Sequence, residues 1–320
     1  MTITWVALAI LAIALAWPVP ILLARASWPA RAPATALIVW QAIALAGGLS
    51  MLGALFSFGL EPFGDDLATG LAAFPGWLVA GELPAGTSFL QMFAVSGGIL
   101  LGVHLLLTLG LTFARAERSR RRHGQLVRLL SAPIPERPGM RLLEHEAPVA
   151  YCLPGTTRSV TVLSAGLVEL LDDQQLQAVI AHELAHATQR HHLLLVAFRA
   201  WRGSLPWFPI ATRALDAVTV LVEMLADDRA RQQVPDEALA ASIALVASAS
   251  DAPAVSRLDP ATDATARALA ADGHSAERRL TRLITPGRPL GAAGRALALI
   301  CSVALLAVPT VLIVAPAVLA

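Results

Sequence analysis

The sequence predicts a multi-span α-helical membrane protein with a small α+β domain inserted before its last span. Three observations carry this. Hydrophobic residues make up 56% of the 320-residue chain and charged residues only 15%, against roughly a quarter charged in soluble proteins. Four stretches without a charged residue are each long enough to cross a bilayer. The polar part of the chain is gathered between the third and fourth of them, where strand-like and helix-like patterns alternate.

The first uncharged run, Met1 to Ala24, lacks the positive start that a cleaved signal peptide has, so a retained span is expected. A short loop with Arg25 and Arg31 leads to the second run, Ala32 to Leu60, in which Gly47, Gly48 and Gly53 permit close helix packing. The loop Glu61 to Thr87 is acidic. The third span is Phe89 to Phe113, followed at once by Arg115, Arg118, Arg120, Arg121, Arg122 and Arg128. The fourth is Ala296 to Ala320, preceded by Arg288 and Arg295. Basic loops stay on the cytoplasmic side. All three basic regions then agree on one arrangement in the plasma (inner) membrane, with both termini outside, the acidic loop outside, and about 115–290 inside. A reporter fused at Gly86 should therefore report an external position. The Arg115–Arg128 cluster is expected to anchor the topology on anionic lipid. Nothing aromatic or motif-like accompanies it, so no nucleic acid is expected. His104, an ionisable group inside the third span, is a functional candidate unless it bonds to a Ser or Thr of the bundle.

All 24 basic residues are Arg, which reads as coding bias. Cys152 and Cys301 lie far apart and form neither a disulfide framework nor a zinc–thiolate set. The expected organisation is 1–114 as a three-helix transmembrane region, 115–140 as a basic juxtamembrane segment and proline-rich linker, 141–290 as the soluble domain, and 296–320 as the fourth helix. Within the soluble domain, Pro148–Leu153 and Arg158–Leu163 read as a hairpin about Pro154-Gly155. Ser164–Leu171 reads as a short helix. The next helix opens at Asp172, which caps its first turn with Gln175 completing a capping box.

That helix carries His182-Glu183-Leu184-Ala185-His186. Four residues apart, both imidazoles project from one face. They can hold one zinc ion while Glu183 reaches a water on the same metal. A third ligand must come from another element, and Glu223 is the best candidate, with Asp227 on the same helical face. Asp227 is placed to accept a hydrogen bond from the far nitrogen of a ligand histidine. His191 and His192, further along the first helix, are expected at the surface. The apolar stretch His192–Val222 is interrupted by Arg199, Arg202, Arg213, Pro206 and Pro209, so it does not span; Trp201, Trp207 and Phe208 suit a membrane surface or a core equally well.

A strand, Ser164-Ala165-Gly166-Leu167, Leu171-Asp172-Asp173, H-E-L-A-H and then E-x-x-A-D together resemble the membrane-bound gluzincin peptidases. Two families share this arrangement: the prenyl-protein and heat-shock membrane endopeptidases, and the antirepressor family of beta-lactam-sensing transducers. The layout of three spans, a cytoplasmic peptidase domain and a fourth span is similar to the second, and Ala24-Arg25-Ala26-Ser27-Trp28-Pro29 resembles its short actinobacterial members. No sensor domain follows the fourth span, so a penicillin-sensing role is not expected. The resemblance implies a zincin-like metalloprotease domain at 141–290 with one zinc ion on His182, His186 and Glu223, Glu183 as the base, and Asp227 supporting a ligand. In the endopeptidase family a histidine and an arginine further on assist the site; His274 and Arg278 correspond here, although Ser275 replaces the usual proline.

The expected chemistry is metal-assisted peptide hydrolysis. Glu183 takes a proton from the metal-polarised water and passes it to the leaving amine. His274 or Arg278 stabilises the oxyanion, and the strand Ser159–Leu163 holds an extended substrate by edge pairing. The expected partners are a protein or peptide substrate and the bilayer; the sequence leaves the oligomeric state open. The expected substrate is a cytoplasmic regulatory protein such as a repressor. Removal of damaged membrane proteins is the runner-up. A non-catalytic signalling scaffold is weakened by the presence of all five site residues, an intramembrane protease by the polar flanks of the motif, and a transporter by the lack of polar residues in the spans.

Overall fold

A computed structural model describes residues 1–135, 137–153, 160–206, 209–250, 275–285 and 287–319. Contacts divide the chain into two units, one of Met1–Leu111, Arg199–Leu215 and Leu290–Ala320, the other of Thr112–Phe198 and Asp216–Pro289.

The first unit contains α1 (Thr2–Ala16), α2 (Pro18–Arg25), α3 (Trp28–Arg31), α4 (Pro33–Gly59), α5 (Leu67–Ala80), most of α6 (Phe89–Leu130) and α13 (Ala292–Leu319). Four helical stretches are long and apolar enough to cross a membrane: Thr2–Arg25, Pro33–Gly59, Phe89–Leu130 and Ala292–Pro316. The first is interrupted at Trp17, where Pro18 opens α2. Large apolar side chains such as Ile3, Leu100, Leu106 and Val303 stand exposed along these helices, as lipid-facing positions do. Helix α4 is the hub, packed by α1 and α13. Of the three glycines expected to allow this, Gly53 is the one that does. A Cβ there would come within 2.9 Å of Ile313 Cδ1 and 3.1 Å of Leu8 Cδ1. Gly59 sits closer still to α6, where a Cβ would meet the Gln91 carbonyl at 2.8 Å.

One feature of this unit departs from the sequence expectation. The acidic loop contains a helix, α5, whose capping box is Asp66 with Thr69; Asp66 Oδ1 accepts from the amides of Ala68 (2.8 Å) and Thr69 (2.9 Å). His104 meets a serine, as the alternative to a functional role expected; its Nε2 lies 3.0 Å from the backbone carbonyl of Ser204. That bond belongs to the first unit, which also takes in 199–215. Trp201 falls in α9 (His191–Ser204), while Trp207 and Phe208 lie outside the described residues.

The second unit holds a four-stranded sheet, β1 (Ser131–Pro133), β2 (Met140–Leu143), β3 (Ala150–Leu153) and β4 (Val160–Ser164), in the order β1-β2-β4-β3. The expected hairpin is the antiparallel β3–β4 pair, with Tyr151 opposite Val162; Pro154, Gly155, Arg158 and Ser159 lie outside the described residues. The expected linker is largely structured. Helix α6 continues through the arginine cluster to Leu130, and β1 pairs with β2. Arg141 secures the junction, donating to Ser131 Oγ (2.8 Å) and to the Arg128 carbonyl (3.1 Å). In the cluster itself, Glu117 pairs with Arg121 at 2.7 Å and with Arg120 at 3.4 Å.

After β4 come α7 (Ala165–Leu170), α8 (Asp173–Thr188), α9, α10 (Pro209–Ala230), α11 (Asp236–Ser250) and α12 (275–284). Helix α8 starts where the sequence places it. Gln175 N donates to Asp172 Oδ1 at 2.8 Å and Asp172 N to Gln175 Oε1 at 3.1 Å, satisfying two otherwise orphan amides. Two apolar layers then fix it. Leu176 and Ile180 pack with Leu163, Leu167 and Leu171, while Ala178 and Ala181 pack with Ala230, Leu239, Ile243 and Leu283. Small residues on the second face let α8 lie close to α10, α11 and α12. That closeness sets up the site.

Candidate metal centre

Helix α8 brings His182 and His186 to one face, their Nε2 atoms 3.0 Å apart. Helix α10 supplies Glu223, whose Oε2 lies 3.2 Å from His182 Nε2 and whose Oε1 lies 3.4 Å from His186 Nε2. Two ligands about 2.0–2.1 Å from a tetrahedral zinc stand about 3.3 Å apart. The three side chains therefore already have the spacing of a zinc ligand set, with one donor atom from each lying within 4.8 Å of the others. Neutral imidazole and carboxylate are donors zinc accepts.

The far side of each histidine is also held. Asp227, one turn beyond Glu223 and only 1% exposed, has Oδ1 2.9 Å from His182 Nδ1. Arg279 of α12 grips the same carboxylate with two bonds, Nε to Oδ2 at 2.8 Å and Nη2 to Oδ1 at 2.7 Å, and sets Nη1 3.2 Å from Glu223 Oε2. Arg282 fastens α12 to α10 through Asp228 (2.7 Å) and the Met224 carbonyl (3.3 Å). On the other side, His186 Nδ1 lies 2.9 Å from Nδ1 of His191.

The electrostatics follow from burial and these pairs. Burial pushes the His182 imidazole down, but the bonds to Asp227 and Glu223 outweigh it and raise its pKa to about 9. Burial also acts on Glu223, yet His182 and His186 hold its carboxyl well below the usual range. Asp227 is likewise lowered, its burial outweighed by His182 and Arg279. Glu183 goes the other way. Burial raises it, against the opposing pull of the His182 and His186 imidazoles and a hydrogen bond from the Cys152 amide. That amide belongs to β3, which places the Glu183 carboxyl at the outer strand of the sheet.

A comparison with known families decides what this arrangement belongs to. The sequence profile described as Peptidase family M48 matches residues 114–284, more than half of the chain, and spans every residue of the cluster. The chain belongs to peptidase family M48. No curated protein and no solved structure matches it. An M48 peptidase is a metallopeptidase, and its substrate is a protein or peptide.

The structure thus brings together His182, Glu183, His186, Glu223 and Asp227. Arg278 is not among them: it stands exposed, and its neighbour Arg279 enters instead. His274 lies outside the described residues. His191, expected at the surface, is only 4% exposed. The expected continuation of α8 through His191 fails because the chain turns at Arg190, whose φ of 52° is left-handed. On an unbroken helix His191 would sit about 140° around from His186; the turn swings it back. His192 alone of this pair faces outward enough to meet Arg120, Nη1 to Nε2 at 2.8 Å. Substrate pairing on β4 is also excluded, since β2 and β3 occupy both its edges.

Proposed function

We propose that this M48 peptidase is an integral-membrane zinc endopeptidase that cleaves a protein substrate at the cytoplasmic face. The observation that carries the reading is the triad of donor atoms from His182, His186 and Glu223 at zinc-ligand spacing, with Glu183 next in sequence to the first ligand. When bound, zinc supplies a polarised water and a Lewis acid for the scissile carbonyl. Glu183 accepts the water's proton. It then delivers that proton to the leaving amine. Arg279 orients Asp227 and Glu223 and offsets their charge in a buried setting. The extended substrate adds to the outer edge of β3, beside Glu183, in place of the β4 edge that the sequence suggested.

The peptidase region is 141–290 without Arg199–Leu215, which belong to the first unit, together with β1 and the end of α6; in sequence, three spans precede it and a fourth follows. The basic runs after Ala24, after Phe113 and before Ala296 support placing it inside the cell with both termini outside. A cytoplasmic regulatory protein is the substrate class favoured by the resemblance to the antirepressor peptidases.

Substituting Glu183→Gln tests the reading. The variant should bind one zinc per chain as the parent does and lose proteolysis, and protein fragments present in cells carrying the parent should vanish in the variant strain. Wild-type proteolysis by Glu183→Gln overturns the assignment of the base. A parent chain that binds no zinc marks the protein as a scaffold.

A further inference from the structure

We propose that His191 is a positioning residue: it fixes the orientation and tautomer of the metal ligand His186 through an Nδ1–Nδ1 hydrogen bond. The inference rests on the zinc reading above and adds a residue to it.

A ligand imidazole that offers its Nε2 lone pair to a metal keeps its proton on Nδ1. His186 directs Nε2 toward His182 and Glu223, so its Nδ1–H needs an acceptor. The atom in place, 2.9 Å away, is Nδ1 of His191. His191 can accept there only if its own proton sits on Nε2, and that nitrogen lies 2.7 Å from Gln189 Oε1, an acceptor. The three groups therefore permit one consistent set of protons: His191 Nε2–H donates to Gln189, His186 Nδ1–H donates to His191, and His186 Nε2 is left free for the metal. The two imidazoles meet edge-on, with ring centroids 4.9 Å apart and an interplanar angle of 85°.

The backbone is arranged to make this contact. Arg190, between α8 and α9, is the one non-glycine with positive φ among the described residues, and a left-handed residue persists where its surroundings require it. His191 is the residue that this turn delivers, and it is buried. The site then has symmetric support, with Asp227 behind His182 and His191 behind His186. The second support is neutral, so it adds no further anion to a site already crowded with carboxylates.

The test uses the full chain in detergent micelles. Zinc affinity is measured by competition with a chelator, the absorption bands of bound cobalt report ligand geometry, and melting without metal checks the fold. His191→Leu removes the acceptor; His191→Asn restores one, since its Oδ1 falls close to where Nδ1 stood. The expected result is about 10–100-fold weaker zinc binding and altered cobalt bands for His191→Leu, with both largely restored in His191→Asn. Parent-like zinc affinity in His191→Leu overturns the inference. So does equal weakness of the two variants, which assigns His191 to packing. A parent chain that binds no zinc sinks the metal reading itself, a separate outcome.

Discussion

Asp227 ties the metal site to the fold, because one buried carboxylate serves both a ligand and a cation. It accepts from His182 Nδ1 at 2.9 Å and takes two bonds from Arg279 at 2.7 and 2.8 Å. Asp227→Ala deletes all three. Removing one member of a buried ion pair costs about 3–5 kcal/mol; the low end applies here, because Arg279 keeps Glu223 at 3.2 Å. For a unit of this size about 3 kcal/mol corresponds to a melting temperature lowered by about 6–12 °C. Zinc affinity should fall about 10–100-fold, as for other residues that orient a ligand histidine. Asp227→Asn separates the two roles. Its Oδ1 can still accept from His182, so zinc binding should fall less, while its amide faces Arg279 donor to donor, so stability should still drop. Calorimetric melting and chelator competition on the same preparations give both numbers. Asp227→Ala with the parent's melting temperature and zinc affinity would refute the role assigned to the carboxylate.

Three further outcomes follow from other contacts. Zinc must displace a proton from His182, whose pKa is raised from 6.5 to about 9, so apparent zinc affinity should climb as pH rises toward about 9 and level off above. By the same shift, the stability that protonated His182 gives the metal-free fold is complete below pH 6.5 and lost as pH rises through about 9; chelator titration and melting across that range check both. Arg279→Ala should lower the melting temperature and zinc affinity, while Arg278→Ala, at an exposed position, should change neither; the reverse pattern would return the role to Arg278. Gly166→Ala should destabilise by about 1–3 kcal/mol, read as a lowered melting temperature, because a Cβ there would stand 1.8 Å from the Glu146 carbonyl oxygen.

Much of this site is legible in the sequence because it is local. A capping box sets where α8 begins, a four-residue spacing puts two imidazoles on one face, and the same spacing sets Glu223 under Asp227. What escapes reading depends on a turn or on a choice of face. His191 is a case of the first kind, since a single left-handed residue breaks the helix that periodicity extends. Arg279 is of the second kind, and a signal for it was present. Ala276, Leu280 and Leu283 pack into the core with α8; residue 279 shares their stripe at helical spacing, and residue 278 does not. The β1–β2 pair hid behind prolines, and β4 became interior because β2 pairs with it in parallel across 16 intervening residues (144–159), a non-local choice that strand patterns do not encode.

The charges of the site explain why metal and protons should compete for it. Glu223 and Asp227 are buried anions, and Arg279 is the cation placed to offset them. An ionised Glu183 leaves the cluster short of positive charge in surroundings where an unpaired charge is expensive. Protons can make up the shortfall, and besides Arg279 the groups of the cluster that bind them more tightly than usual are His182 and Glu183. On the proposed zinc reading, a dication held by His182, His186 and Glu223 would make it up as well, displacing the proton from His182 and favouring ionised Glu183. Metal binding and the readiness of Glu183 to act as a base would then be one electrostatic event. The fixed carboxylates of α10, held in place by α12, are what couple them.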